Sequence, residues 1–228
     1  MDCICFSNEY FVFSLGYYGY EIYQKAPPVP DKIILTDNTI IFTGQEIKDG
    51  QNVWQSMGGQ EVGSIWGHGA YVAPDWTADW LHREALFILD KLSQAEYQQN
   101  YSTLSKEQQA VMKIRLQNEI RMNTYDATTK TITISKNRQE AIAYLSKYYE
   151  GLFMDDPKFN QLRHDYAIPK MSIKDKTRMH KMNAFFFWAT WATVTNRPND
   201  TISYTHNWPG DELVGNVTTQ SLLIWSGV

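Results

Sequence analysis

Beyond Cys5 the sequence contains no cysteine, so no disulfide can staple the body of whatever it folds into. Cys3 and Cys5, with one residue between them, have neither zinc-finger nor C-x-x-C redox spacing and read as two plain thiols near a frayed end. Stability must come from packed side chains. The 228 residues suffice for one domain with a good core, or one domain plus appendages. A hydrophobic content of 43% is ordinary for a globular chain, but 14% aromatic residues, with 8 Trp and 14 Tyr, is high. Large aromatics favour membrane interfaces and adhesive surfaces. The net charge of −4 gives no polyanion-binding signal, which argues against nucleic acid as a partner.

No apolar run reaches the roughly 20 residues that span a bilayer. Tyr10 to Tyr20 and Ala184 to Val194 are shorter. A cleavable signal peptide fits poorly, because the first residues lack Lys and Arg and no A-x-A site follows. Apolarity rises again from Ser221 to Val228. Both ends therefore read as partial membrane helices.

Between the ends, helical periodicity dominates. Ala26-Pro27-Pro28-Val29-Pro30 forms a stiff exit from the first apolar run. Ile33-Ile34-Leu35-Thr36 and Thr39-Ile40-Ile41-Phe42, separated by Asp37-Asn38, predict a two-residue hairpin. Helices are predicted from Ile47 to about Met57 and from Pro74-Asp75 onward, the second carrying Leu81, Ala85, Ile88 and Leu92. Two more run from about Ser105 to Met122 and from Arg138 to Phe153. Thr131 to Ile134 is a short strand. Lys174, Lys176, Arg178 and Lys181 precede Ala184-Phe185-Phe186-Phe187-Trp188. That pattern fits either a helix lying at lipid headgroups or a buried core helix.

The segment from Gly50 to Glu84 carries the most specific signal. Covalent haem attachment requires C-x-x-C-H, and in the scaffold around Trp54 and Trp66 those five positions read Gly59-Gln60-Glu61-Val62-Gly63. The stretch resembles the haem segment of a cytochrome c with its chemistry removed. More widely, Gly50 to Gln55, Asp79 to Glu84, Phe185 to Trp188, Thr195-Asn196-Arg197-Pro198 and Tyr204 to Pro209 resemble the N-terminal region of quinol-dependent nitric oxide reductases. Gly19 to Tyr23 with Ala26-Pro27-Pro28 is similar to the exit from that family's first membrane helix.

The resemblance implies a mainly α, cytochrome-c-like helical domain without haem, with a small β-hairpin and flanking partial membrane helices. The implied boundaries are 1–25 for a partial first membrane helix and 26–182 for the periplasmic cytochrome-c-like domain. An interfacial aromatic helix and connector would occupy 183–215, and a second membrane helix would start at 216–228. It implies a non-catalytic extramembrane domain at the periplasmic face of a bacterial inner membrane, partnered by a catalytic membrane domain. In that family haem b and a non-haem iron reduce two nitric oxide molecules to nitrous oxide and water, with electrons from quinol. Those metals sit among helices that this stretch lacks, so the chain is expected to be a fragment without catalytic residues of its own. Loss of Cys, Cys and His at Gly59, Val62 and Gly63 removes every covalent and proximal haem bond.

In the two-subunit relatives, the loop matching Gly67-His68-Gly69-Ala70-Tyr71 offers backbone carbonyls to calcium. The resemblance carries that role to Gly69 and Tyr71, with the other ligands in the catalytic portion. A tight turn packed against the membrane domain is the plainer reading. His68 reads as a turn histidine, and Trp54, Trp66 and Met57 as fillers of the vacated haem cavity. His82-Arg83-Glu84 point in different directions along a helix and read as a solvated or interdomain face. Asp75 and Asp79 suit a helix start, and the sequon Asn216-Val217-Thr218 reads as chance. The competing hypothesis is an independent periplasmic module binding a sugar or quinone on an aromatic surface, or the remnant of a decayed reductase gene.

Overall fold

Asp37 and Asn38 reverse the chain between strands β1 (Lys32–Leu35) and β2 (Ile40–Thr43). Asn38 takes a left-handed φ of 65°, and the Asp37 carboxylate accepts from Thr39 N at 2.9 Å, the local bonding that favours Asx residues in turns. The structure, a computed structural model, describes residues 2–220. The expected second membrane helix falls largely outside the described residues, as do the side chains of Cys3 and Cys5.

The predicted hairpin is present but is not the whole sheet. β3 (Tyr125–Asp126) and β4 (Thr131–Ile134) complete a four-stranded sheet in the order β2-β1-β4-β3, with β1 and β4 parallel. Periodicity marks a strand's faces but not its partner, and the β1–β4 pairing joins segments almost a hundred residues apart.

Each long helix starts at a side-chain cap. α2 (Gly44–Ser56) opens with a capping box between Thr43 and Glu46. α3 (Trp76–Tyr97) opens at Asp75, α4 (Lys106–Arg121) at Ser105 and α5 (Lys136–Phe153) at Ser135. After the short α6 (Asn160–Asp165), α7 (Lys176–Val194) starts at Asp175.

α7 is the axis of the domain. Every residue from Met182 to Val194 is buried. A helix that is apolar on all sides must be enclosed, and α2, α3 and α5 enclose it. The interfacial reading of this aromatic helix is thereby corrected: Phe185 to Trp188 pack inside protein, and the lysines precede the buried turns. Gly50 permits the close approach of α2. A Cβ there would lie 2.8 Å from Phe185 Cβ and 2.7 Å from the Lys181 carbonyl carbon. A second core joins Leu81, Ala85 and Ile88 of α3 to Met112, Leu116 and Ile120 of α4.

Helix α1 (Asp2–Lys25) precedes this body. Among the described residues, no helix is long and apolar enough to cross a membrane. The expectation of a partial membrane helix at 1–25 is met only by a helix whose apolar stretch is interrupted by Glu21 and Lys25 at one end and Asn8 and Glu9 at the other.

Candidate functional site

The five residues at the haem-motif position form a glycine-led turn gripped by two indoles. Gly58 is left-handed, Gly59–Val62 make one 3-10 turn, and Gly63 leaves it at φ 116°. The Trp76 indole donates to the Val62 carbonyl at 2.9 Å, and the Trp54 indole to the Gly63 carbonyl at 3.2 Å. A Cβ on Gly63 would stand 2.5 Å from Trp76 Cε2 and 2.7 Å from the Pro74 carbonyl oxygen, well inside van der Waals contact. Any side chain at position 63, histidine included, competes with the indole for the same volume.

Trp76 is fully buried. Its ring stacks on Phe186 (centroids 6.0 Å, planes 13° apart) and meets Phe153 edge-on at 5.2 Å. Trp54 packs on Phe185 at 5.9 Å. Trp66 lies against Trp188 at 5.6 Å and donates to the Ala189 carbonyl. Trp54, Trp66 and Met57 thus all reach the α7 core, but the ring nearest the motif is Trp76. Its position as the first residue of α3, outside the Leu81–Leu92 periodicity, gave no sequence signal.

Asp75 organises the loop that follows. Its Oδ1 accepts from Thr77 N and Ala78 N, both at 3.0 Å, as the α3 cap. Its Oδ2 accepts from Ser64 Oγ and Gly67 N, both at 2.7 Å. Ser64 Oγ in turn accepts from Gly69 N at 2.8 Å, and Ala70 N donates to the Ala73 carbonyl. The loop from 64 to 75 is therefore closed on itself, and its tip carries Tyr71 fully in solvent. Neither the Gly69 nor the Tyr71 carbonyl accepts a hydrogen bond among the described residues. His68 is stacked near Trp208 at 4.7 Å, and the Trp208 indole donates to the Gly67 carbonyl. No group of three or more His, Cys, Asp or Glu side chains converges into a metal site among the described residues.

His82, Arg83 and Glu84 do diverge, but not as one solvated face. His82 bonds Asp211 at the surface. Arg83 pairs with Asp79 at 2.9 Å and lies 3.9 Å over the Tyr148 ring. Glu84 is fully buried and paired with Arg138 at 2.7 Å, with the guanidinium over Phe187. Helical periodicity assigned Glu84 no partner, because Arg138 comes from another helix. Asp79 also accepts from the buried Tyr149 hydroxyl at 2.7 Å. Burial, then the Asp79 charge, push the Tyr149 phenol well above its ordinary range. Burial likewise raises Tyr148, to about 12. Asn216 of the sequon is buried and donates to the Pro209 carbonyl at 2.9 Å, so its amide is spoken for.

These features define a mainly helical domain built around a glycine turn in which no haem-ligating side chain stands. Residues 30–210 match the family model of the cytochrome c-like domain of NorB, a nitric oxide reductase polypeptide, and the chain belongs to that family. No curated protein matches it.

Proposed function

We propose that this domain is a haem-free structural cap of a nitric oxide reductase, seated on the outer, periplasmic face of the catalytic membrane portion. The observation that carries the reading is the Trp76 indole beside Gly63. The motif has lost its ligands at Gly59, Val62 and Gly63, and the space for a proximal ligand is filled by bonded aromatic rings. A cytochrome c that merely lost its ligands would keep a void, and voids are costly. Here the side chains suit the haem-free state, so a c-type haem does not fit this chain. Electrons would then enter the catalytic portion directly from quinol.

Two further elements belong to this proposal. The Gly69 and Tyr71 carbonyls, on a loop held rigid by Ser64 and Asp75, are suited to a hard cation such as calcium, with the other ligands supplied by the catalytic portion. Helix α1 is apolar on all sides and covered by no protein, which supports a place against the membrane. The rival reading, a module with an aromatic binding surface, loses its main support, because the large rings of α3, α5 and α7 are interior.

The test is nitric oxide consumption with a quinol donor. The purified chain should consume none, and when co-expressed with a catalytic portion of the same family it should co-purify with it. Turnover by the chain alone, or failure to associate, would count against the cap.

A further inference from the structure

Resting on the membrane placement of α1, we propose that the groove between the C-terminal half of α1 and the 197–206 loop holds the phosphate of an anionic phospholipid. The groove encloses about 560 Å³ and is lined by Tyr17, Tyr18, Glu21, Lys25, Arg197 and His206, among others.

Three observations converge on it. First, α1 presents Tyr10, Phe11, Val12, Phe13, Leu15, Tyr17, Tyr18, Tyr20, Ile22 and Tyr23 with exposures of 55% to 79%. These occupy every side of the helix. Its tyrosines gather toward the body, the distribution of side chains that sit where hydrocarbon meets headgroups. Second, cations meet at that end. Arg197 is half-buried, its Nε has no hydrogen-bond partner among the described residues, and its Nη2 donates to a neutral carbonyl, that of Tyr204, at 2.9 Å. Burial, then the charges of Arg197 and Lys25, push His206 below its ordinary value, with Asp200 opposing; both cations therefore face that ring. Third, the charge is not cancelled. The one acid lining the groove, Glu21, is bonded to Lys25 at 2.5 Å, which leaves the Arg197 guanidinium as the free fork. A planar guanidinium with an open donor in a tyrosine-walled groove suits a phosphodiester better than a point charge does.

Flotation of the full chain with vesicles of phosphatidylcholine, alone or with phosphatidylglycerol added, tests this. Wild type should prefer the anionic vesicles. Arg197→Gln and Lys25→Gln should each weaken that partition about fivefold, while Arg197→Lys keeps most of it. Lys25 lies at the end of α1, so its variant cannot fail by unfolding the body. Paired Phe11→Asp and Phe13→Asp should lose both vesicle types. If those two variants detach while Arg197→Gln matches wild type, the headgroup site is overturned and the lipid placement of α1 stands. If wild type binds neither vesicle, both are overturned. If excess inorganic phosphate abolishes the preference while the chain stays on the vesicles, the groove takes free phosphate, and the lipid assignment is overturned. A sedimentation mass that changes with Arg197→Gln would overturn it in favour of a second copy.

Discussion

Trp76 and Gly63 are matched to one another: the indole bonds the carbonyl just before the glycine and fills the space that a side chain on it would need. A motif that in a haem protein would present an axial ligand is here a backbone acceptor for a core tryptophan. The relationship is reciprocal, because Gly63 also requires φ 116°, a region L side chains rarely adopt.

Gly63→Ala should therefore destabilise the domain by about 2 kcal/mol or more, from backbone strain together with overpacking. Urea denaturation reads it. Combining Gly63→Ala with Trp76→Leu should cost less than the sum of the single changes, since residues in contact do not add. Strict additivity would mean that the indole does not set the limit at position 63.

Glu84 and Arg138 form an ion pair inside the core, with side chains no more than 5% exposed. Glu84→Gln should cost about 3 to 5 kcal/mol, because it strands the guanidinium away from water. Replacing both together, Glu84→Leu with Arg138→Met, should be much milder. Thermal melts of the three variants distinguish a pair that specifies packing from one that contributes net stability.

Tyr149 and Tyr148 make the domain sensitive to alkali. Both are held neutral in the fold above the ordinary tyrosine value of about 10. In the unfolded chain they lose protons near pH 10. The folded state then binds more protons, and stability falls as pH rises. Their contribution is fully present below about pH 10 and is lost as pH climbs toward about 12, and beyond for Tyr149. Denaturation midpoints across that range should show the loss, and Tyr149→Phe should flatten it.

Much of this architecture was legible in the sequence, and what was not is instructive. The Asp37-Asn38 hairpin, the helix starting at Asp75 and the apolar rows of α3, α4 and α5 follow from local rules: turn chemistry, capping and a period of 3.6 residues. So did the vacated haem motif, which is a matter of which side chains are absent. The partners across the fold were not legible. Nothing local pairs β1 with β4, Glu84 with Arg138, or Trp76 with Phe186. The aromatic run of α7 shows why. Cations followed by Phe and Trp fit a lipid interface and a protein core equally well, and only the helices around α7 decide between them.

Calcium separates backbone from side-chain chemistry at the loop tip. If the Gly69 and Tyr71 carbonyls are ligands, Tyr71→Ala should leave the calcium content of an assembled reductase unchanged, because the exposed ring takes no part. Gly69→Val, at φ 88°, should lower it by distorting the loop. Metal analysis of the purified assemblies would show this, and equal losses in both variants would argue for a side-chain role instead.

The most direct test of the haem-free fold is a visible absorption spectrum of the chain made in cells equipped for c-type haem attachment, both as wild type and with Gly59→Cys, Val62→Cys and Gly63→His introduced together. The account predicts no Soret band from wild type, and none from the triple variant while Trp76 remains. A chromophore that survives acid-acetone extraction in the wild-type chain would contradict it.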